Sequence, residues 1–366
     1  YDQREILEVL DTCVSCKACK SECPSNVDIA RFKAEFLQQH YDVCGVPMKA
    51  FLIARLTEIQ RLGTILPWFY NAIVRNRMTG NMLKRVLHFA PKRTIPTLYK
   101  TTLKHWLGRY RQKNRAETVR KVFLFADEFT NYMDVEIGIK MIELLDWLGY
   151  EVIIPKHVES GRTSISKGML KVAKGVAREN VLLLKDLVTE NIPLVGIEPS
   201  CILSFRDEYP DLVGEDLKEE AVRLGKNCLL YDEFFIREIR AGRIQAEQFT
   251  DQPLKIMLHG HCHQKSLASV EPSREMLSLP VNYSVEVIPS GCCGMAGAFG
   301  YEKKHYELSM KIGEQVLFPA VRGAGENVCI SAPGTSCRQQ IKDGTGKQAL
   351  HPIEVLYEAL KCTKEK

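Results

Sequence analysis

No run of eighteen apolar residues occurs anywhere in this 366-residue chain, which excludes a conventional membrane-spanning helix. Stretches such as Phe51–Leu56 and Val181–Leu184 are far too short. No signal-peptide pattern is present, and the chain begins at Tyr1 rather than Met, so a piece of a longer polypeptide is expected. Gly294, Gly297 and Gly300 are not followed by Gly-Lys-Ser/Thr, which argues against a phosphate loop. Acidic residues are nearly missing from one segment: between Gly45 and Arg115, Glu58 stands alone against fifteen Lys or Arg. A net charge of +5 therefore conceals about +14 there and about −9 elsewhere. That segment also carries Trp68, Phe69, Tyr70, Trp106 and Tyr110. Basic aromatic helices suit peripheral contact with anionic lipid at the inner face of the cell membrane, docking on an acidic partner domain, or plain solvation. No nucleic-acid module accompanies the patch, so no nucleic-acid partner is expected.

What the chain has is length for two or three domains, 45% hydrophobic residues and thirteen cysteines. In so large a chain, cysteines gathered in clusters point to metal chemistry in a reducing compartment, and the cytoplasm is expected. The first cluster is Cys13-Val-Ser-Cys16-Lys-Ala-Cys19-Lys-Ser-Glu-Cys23-Pro24. C-x2-C-x2-C-x3-C-P is the spacing that wraps thiolates around a [4Fe–4S] cube. A zinc knuckle is the alternative, but zinc sites usually pair two separated C-x-x-C units or add histidines. In two-cluster folds the cysteine before proline ligates the other cluster. Cys13, Cys16 and Cys19 are then expected to share a cube whose fourth ligand lies upstream of Tyr1, with Cys23 serving a sister cluster.

Residues 1–115 read as helical, with Asn26–His40 capped by Ser25 or Asn26 and later helices punctuated by Pro47, Pro67, Pro91 and Pro96. From Arg120 the pattern alternates. Strands are expected at Val122–Ala126, Glu151–Ile154, Leu194–Ile197, Ile256–Leu258, Val285–Ile288 and Val328–Ser331. Helices are expected at Asp134–Leu148, Ser166–Leu187 and Lys303–Val321. The order repeats in detail: Arg120–Glu128 parallels Leu254–Cys262, Tyr150–Pro155 parallels Val285–Pro289, and Gly196–Cys201 parallels Ala332–Cys337. This is an internal duplication of one α/β unit, joined near Ala241–Pro253. The fold class expected is α + α/β. A helical ferredoxin-type domain (1–44) and a basic helical segment (45–119) precede a degenerate cysteine-rich unit (120–245) and a second cysteine-rich unit (246–366).

The second copy holds Cys262, Cys292, Cys293 and Cys337, each just after a strand, where loops of an open α/β sheet converge on ligands. Adjacent Cys292 and Cys293 can both ligate only if the backbone turns sharply or the ligand is a multi-iron cluster, and Gly291, Gly294, Gly297 and Gly300 permit unusual backbone there. An iron–sulfur cluster, a four-thiolate zinc site and an unmetallated set remain open. The first copy has Glu128 for Cys262 and Glu159-Ser160-Gly161 for Cys292-Cys293-Gly294; only Cys201 matches Cys337. Cys201 either reaches the second copy's metal or is a buried free cysteine. Cys44, Cys228, Cys329 and Cys362 read as buried structural residues. His259, His261 and His263 would share one face of an extended strand, opposite Cys262, as ligands, proton carriers or a polar strand end. Glu198, Arg206, Asp207 and Arg338 suit structural ion pairs as well as function.

Cys13–Lys33 resembles the ferredoxin-type part of FAD-linked D-2-hydroxyacid dehydrogenases of the D-lactate, glycolate or D-2-hydroxyglutarate type. Gly196–Cys201, His259–Lys265, Gly291–Gly297 and Thr335–Arg338 resemble cysteine-rich CCG domains. Such domains also occur in heterodisulfide reductase, in glycolate oxidase iron–sulfur subunits and in anaerobic glycerol-3-phosphate dehydrogenase. The resemblance implies an oxidoreductase whose flavin domain oxidises a hydroxyacid while this module passes electrons to a quinone or another acceptor. Nothing in the chain resembles an FAD-binding domain, so FAD is expected on a missing domain or a partner subunit. It assigns no catalytic residue. The family pattern ends in C-x-x-C, and Gly334 stands at the first of those positions, so a conventional cube or zinc is open beside an unusual cluster. The rival readings are a heterodisulfide-reductase-like thiol/disulfide enzyme and a non-catalytic zinc-stabilised scaffold.

Overall fold

The computed structural model describes residues 4–112 and 120–361. Eight helices come first among them: α1 (Arg4–Asp11), α2 (Ala18–Glu22), α3 (Ile29–Cys44), α4 (Met48–Ala54), α5 (Leu56–Gly63), α6 (Pro67–Arg75), α7 (Arg77–Val86) and α8 (Leu103–Leu107). Helix α3 starts later than expected. Asp28 rather than Ser25 or Asn26 caps it, its carboxylate accepting the Arg31 N–H at 3.0 Å. Pro47 and Pro67 sit at helix starts, whereas Pro91 and Pro96 lie in an irregular stretch between α7 and α8. None of the described helices is long and apolar enough to cross a membrane.

The alternating part follows as β1 (Arg120–Phe125), α9 (Val135–Trp147), β2 (Tyr150–Ile153), α10 (Arg162–Ser166), α11 (Leu170–Leu184) and β3 (Leu194–Gly196). Then come the single turns α12 (Pro199–Ile202), α13 (Ser204–Asp207) and α14 (Tyr209–Leu212), followed by α15 (Lys218–Lys226), β4 (Cys228–Leu230) and α16 (Tyr231–Arg240). The last stretch holds β5 (Leu254–Leu258), α17 (Cys262–Leu267), α18 (Glu271–Leu277), β6 (Tyr283–Val287), α19 (Tyr306–Gln315), α20 (Leu317–Gly323), β7 (Val328–Ser331), α21 (Thr335–Thr345) and α22 (Pro352–Glu358). The six expected strands lie within two residues of these limits at each end. Two helices read as continuous are broken. Gly168, with φ +70°, separates α10 from α11, where a Cβ would stand 2.2 Å from that of Leu37 on α3. Val316 interrupts α19 and α20.

All strand pairs are parallel, in the orders β2-β1-β3-β4 and β6-β5-β7. Both sheets thus place their first strand between the second and third. The fourth strand, β4, was not expected from sequence; in the second sheet its place is taken by a single parallel bridge between Ser331 and Leu350. Helix α9 packs on α22 and α16 on α18, so each half covers the other. One continuous core results, from Leu124 and Leu145 through Phe234 and Phe235 to Ile256, Met276 and Leu356.

The basic segment is fastened to both halves. Residues 88–90 bond through the backbone to 301–303. Arg93, one of the fifteen basic residues of the segment, is 1% exposed. Its guanidinium donates to Gly300 O (2.8 Å), Gln340 Oε1 (2.6 Å) and Ser309 Oγ (2.8 Å), and pairs with Asp343 at 3.3 Å. Removing one partner of such a buried set costs about 3–5 kcal/mol, whereas an exposed charge is worth less than about 0.5 kcal/mol. Denaturant unfolding is expected to show that loss for Arg93→Ala and almost none for the exposed Arg77→Ala.

Candidate metal centres

Cys13 lies just past α1, Cys19 lies in α2 and Cys23 follows α2. Ser15 (φ +50°) and Lys17 (φ +65°) take left-handed backbone without being glycine. Such alternation turns successive N–H groups inward, toward an anion. Ser15 N–H points at Cys13 Sγ (3.4 Å), Ile29 N–H at Cys19 Sγ (3.3 Å) and Ala18 N–H at Cys16 Sγ. Burial pushes the Cys16 thiol up, and the Cys262, Cys13 and Cys19 sulfurs add to the shift. The half-buried Cys23 thiol is held down by the Val27 and Ser25 N–H groups. Thiols with N–H groups aimed at sulfur fit a thiolate-held metal or iron–sulfur centre.

Lys17 fastens this loop. It is 3% exposed and pairs with Asp28 (2.8 Å), Asp207 (2.7 Å) and Glu208 (3.2 Å). Lys20 also reaches Asp207. Asp207 therefore acts as an anchor for the cysteine loop, while Arg206 pairs with Glu233 and Arg338 with Asp134.

In the second sheet, parallel pairing brings the ends of β5, β6 and β7 to one edge. Cys262 opens α17, Cys292 and Cys293 lie in the loop after β6, and Cys337 lies in the first turn of α21. Their sulfurs are crowded together, each acting on its neighbour in the order Cys262, Cys292, Cys293, Cys337. The sharp turn comes from Gly294 (φ +91°), where a Cβ would meet Ser309 O at 2.3 Å. Gly294 N–H points back at Cys292 Sγ, 3.4 Å away. The neighbouring Cys292 sulfur pushes the Cys262 thiol well above its ordinary value, with burial adding. Four crowded thiols cannot all ionise unless a cation joins them, and a metal supplies that charge. The donor set therefore fits a thiolate-held metal centre.

The expectation for the three histidines is corrected. The strand ends at Leu258, so they do not alternate along it. His261 caps α17, its Nδ1 accepting the His263 N–H at 3.1 Å. His263 Nε2 lies 2.9 Å from Ser15 O, and Ser266 Oγ lies 3.2 Å from Cys16 O. Helices α17 and α2 thus carry the two thiol groups face to face. Gly334 stands where the family pattern has a cysteine; a Cβ there would meet His261 Cδ2 at 2.4 Å and Cys337 Sγ at 3.2 Å.

Cys201 sits elsewhere. It joins Asp127 and Glu128 at the edge of the first sheet, their donor atoms within 4.8 Å of one another. Glu128 accepts from Ser160 Oγ (2.7 Å) and Ser160 N (2.9 Å). Glu128, Ser160 and Cys201 occupy the places that Cys262, Cys293 and Cys337 hold in the second sheet. Of the remaining cysteines, Cys228 is buried, Cys329 is half-buried, and Cys44 is exposed, against expectation. Cys362 lies outside the described residues.

A cavity of about 1000 Å3 opens onto Cys262, Cys293 and His261. The basic segment lends it the apolar side chains Leu52, Leu56, Ile59, Leu83 and Ile95, while charged residues from other parts of the chain, among them Lys17, Arg162, Glu198, Asp207 and Arg338, also line it. The outer face of the same helices exposes Ile65, Trp68, Phe69, Met78 and Met82. Trp106 instead stacks on Tyr110 against the core, so the aromatics of the segment divide between two roles.

No family model matches the chain. It is 26% identical over 370 residues to D-2-hydroxyglutarate dehydrogenase of Escherichia coli K12, covering 99% of this chain and 35% of that protein. It is 26% identical over 341 residues to a subunit of the anaerobic glycerol-3-phosphate dehydrogenase of Escherichia coli K12, covering 92% of this chain and 83% of that subunit. Lactate utilization protein A of Exiguobacterium sp. is 26% identical over 243 residues, covering 64% and 94%. The chain spans about a third of the length of the D-2-hydroxyglutarate dehydrogenases it matches. These homologues are consistent with the iron–sulfur, CCG-type part of FAD-linked dehydrogenases.

Because His261 fills the space beside Gly334, Gly334→Ala is expected to displace it from the start of α17. Overpacking of this kind costs about 1–3 kcal/mol, readable as a lower urea midpoint at unchanged slope.

Proposed function

We propose that this chain is the iron–sulfur electron-transfer module of an FAD-linked D-2-hydroxyacid dehydrogenase, carrying electrons from a flavin on another domain or subunit to a quinone. Homologues that are dehydrogenases support classification as an oxidoreductase. Residues 1–44 are read as the ferredoxin-type part, 45–119 as the basic segment, 120–245 as the degenerate unit and 246–366 as the CCG unit.

The observation that carries the reading is the packing of α2 against α17. A single hydrogen bond, between His263 Nε2 and Ser15 O at 2.9 Å, joins the residue beside Cys262 to the residue beside Cys16. Cys13, Cys16 and Cys19 would hold one cluster, and Cys262, Cys292, Cys293 and Cys337 the second. When bound, iron–sulfur clusters supply one-electron steps over a wide range of potential. The protein's own residues exclude water, aim N–H groups at sulfur and fix the separation of the two centres. The cavity suits an acceptor with a long apolar part, which can approach Cys262 and Cys293 while its tail lies among Leu52, Leu56 and Ile59. Exposed apolar side chains with basic neighbours on α4–α7 support peripheral docking on anionic lipid.

Anaerobic reconstitution is expected to give about eight iron and eight acid-labile sulfide per chain if both centres are cubes. Zinc without iron would sink the proposal. Cys16→Ser is expected to remove the first cluster's EPR signal and Cys23→Ser to leave it. Loss of that signal in both would make Cys23 a ligand of the same cube. Filling the cavity by Leu56→Trp is expected to lower quinone reduction at least tenfold while dithionite still reduces both centres. Unchanged turnover in that variant would place the acceptor elsewhere.

A further inference from the structure

We infer that His259 is a nitrogen ligand of the metal centre held by Cys262, Cys292, Cys293 and Cys337. The inference rests on the reading that those thiols bind metal, and adds a donor that cysteine spacing does not reveal. His259 is the first residue beyond β5. Its N–H still bonds Ser331 O at 2.8 Å, so the backbone stays in register with β7. By strand alternation its side chain follows Met257, which packs in the layer that contains Cys293 and Cys337. The imidazole is fully buried, and one ring nitrogen lies within 4.8 Å of both Cys293 Sγ and Cys337 Sγ.

The two ring nitrogens have different fates. Nδ1 is 2.7 Å from Ser290 Oγ, and that hydroxyl is itself 3.5 Å from Ile288 O. With Nδ1–H donating to Ser290 and the serine proton directed to Ile288, Nε2 presents a bare lone pair. Nε2 has no hydrogen-bond partner among the described residues. A ring fixed through one nitrogen and open at the other is the usual arrangement of a metal-bound histidine. The neighbouring histidines are committed otherwise. His261 spends its Nδ1 lone pair on the His263 N–H, which leaves its Nε2 protonated. His263 uses Nε2–H on Ser15 O. His259 thus restores the donor count that Gly334 takes away. A neutral nitrogen in place of a thiolate makes the centre less negative and raises its potential, which favours electron flow into it from the first cluster.

The test is pulsed EPR of the reconstituted full chain in a Cys16→Ser background, where the second centre alone contributes. A strongly coupled nitrogen is expected, converting to the 15N pattern when histidine is 15N-labelled. It should vanish in His259→Cys, whose centre keeps its iron and moves to lower midpoint potential. Iron in this centre without a strongly coupled nitrogen in the wild type, or a coupling that survives His259→Cys, overturns the assignment. A wild-type chain whose four thiols take up no metal overturns both this inference and the reading beneath it.

Discussion

Everything at the second centre depends on β5 pairing in parallel with both of its neighbours. Parallel strands end on one edge, so the loops after β5, β6 and β7 must leave from the same place. Cys262, the Cys292–Cys293 pair and Cys337 are far apart in sequence and meet because each is the first chemistry its strand delivers to that edge. The same edge gathers His259, and the helix beginning at Cys262 meets the loop that holds Ser15 and Cys16. An antiparallel neighbour would send its loop to the opposite end and leave the thiols dispersed.

The first sheet has the same strand order and a different chemistry at its edge. Glu128, Ser160 and Cys201 stand where three thiols stand in the other copy, and they satisfy one another. The Glu128 carboxylate takes both Ser160 donors, and burial raises its pKa. The two copies have thereby divided their work. One gathers four thiols at its edge, and the other braces the cysteine loop through Asp207 and Glu208 on Lys17.

The basic segment has three faces with three physical roles. Arg93 and Lys49 are turned inward onto partners in the second half, Gly300 and Glu302 among them. Leu52, Leu56 and Ile59 wall the cavity beside the thiols. Trp68, Phe69, Met78 and Met82 face outward among the remaining positive charges. A count of charges treats these residues alike; their positions on short helices separate them.

The sequence by itself determined the parts that rest on local spacing. Strand periodicity located six of the seven strands, and the recurrence of Arg120–Glu128 in Leu254–Cys262 exposed the duplication. The eleven-residue cysteine run stood out as a candidate cluster motif because its cysteines are near neighbours. β4 escaped notice because Cys228–Leu230 is too short to show alternation, and the role of Arg93 because a buried guanidinium looks like a surface one until its partners are known. Which side chains share a site was decided by tertiary structure alone. Cys201 matches Cys337 in sequence, yet its sheet edge gives it carboxylates for company. Three histidines in five residues look equivalent, yet the end of β5 at Leu258 and the start of α17 give each ring a different neighbour. Spacing along a chain fixes local geometry, but contact between distant residues depends on where strands end and helices turn.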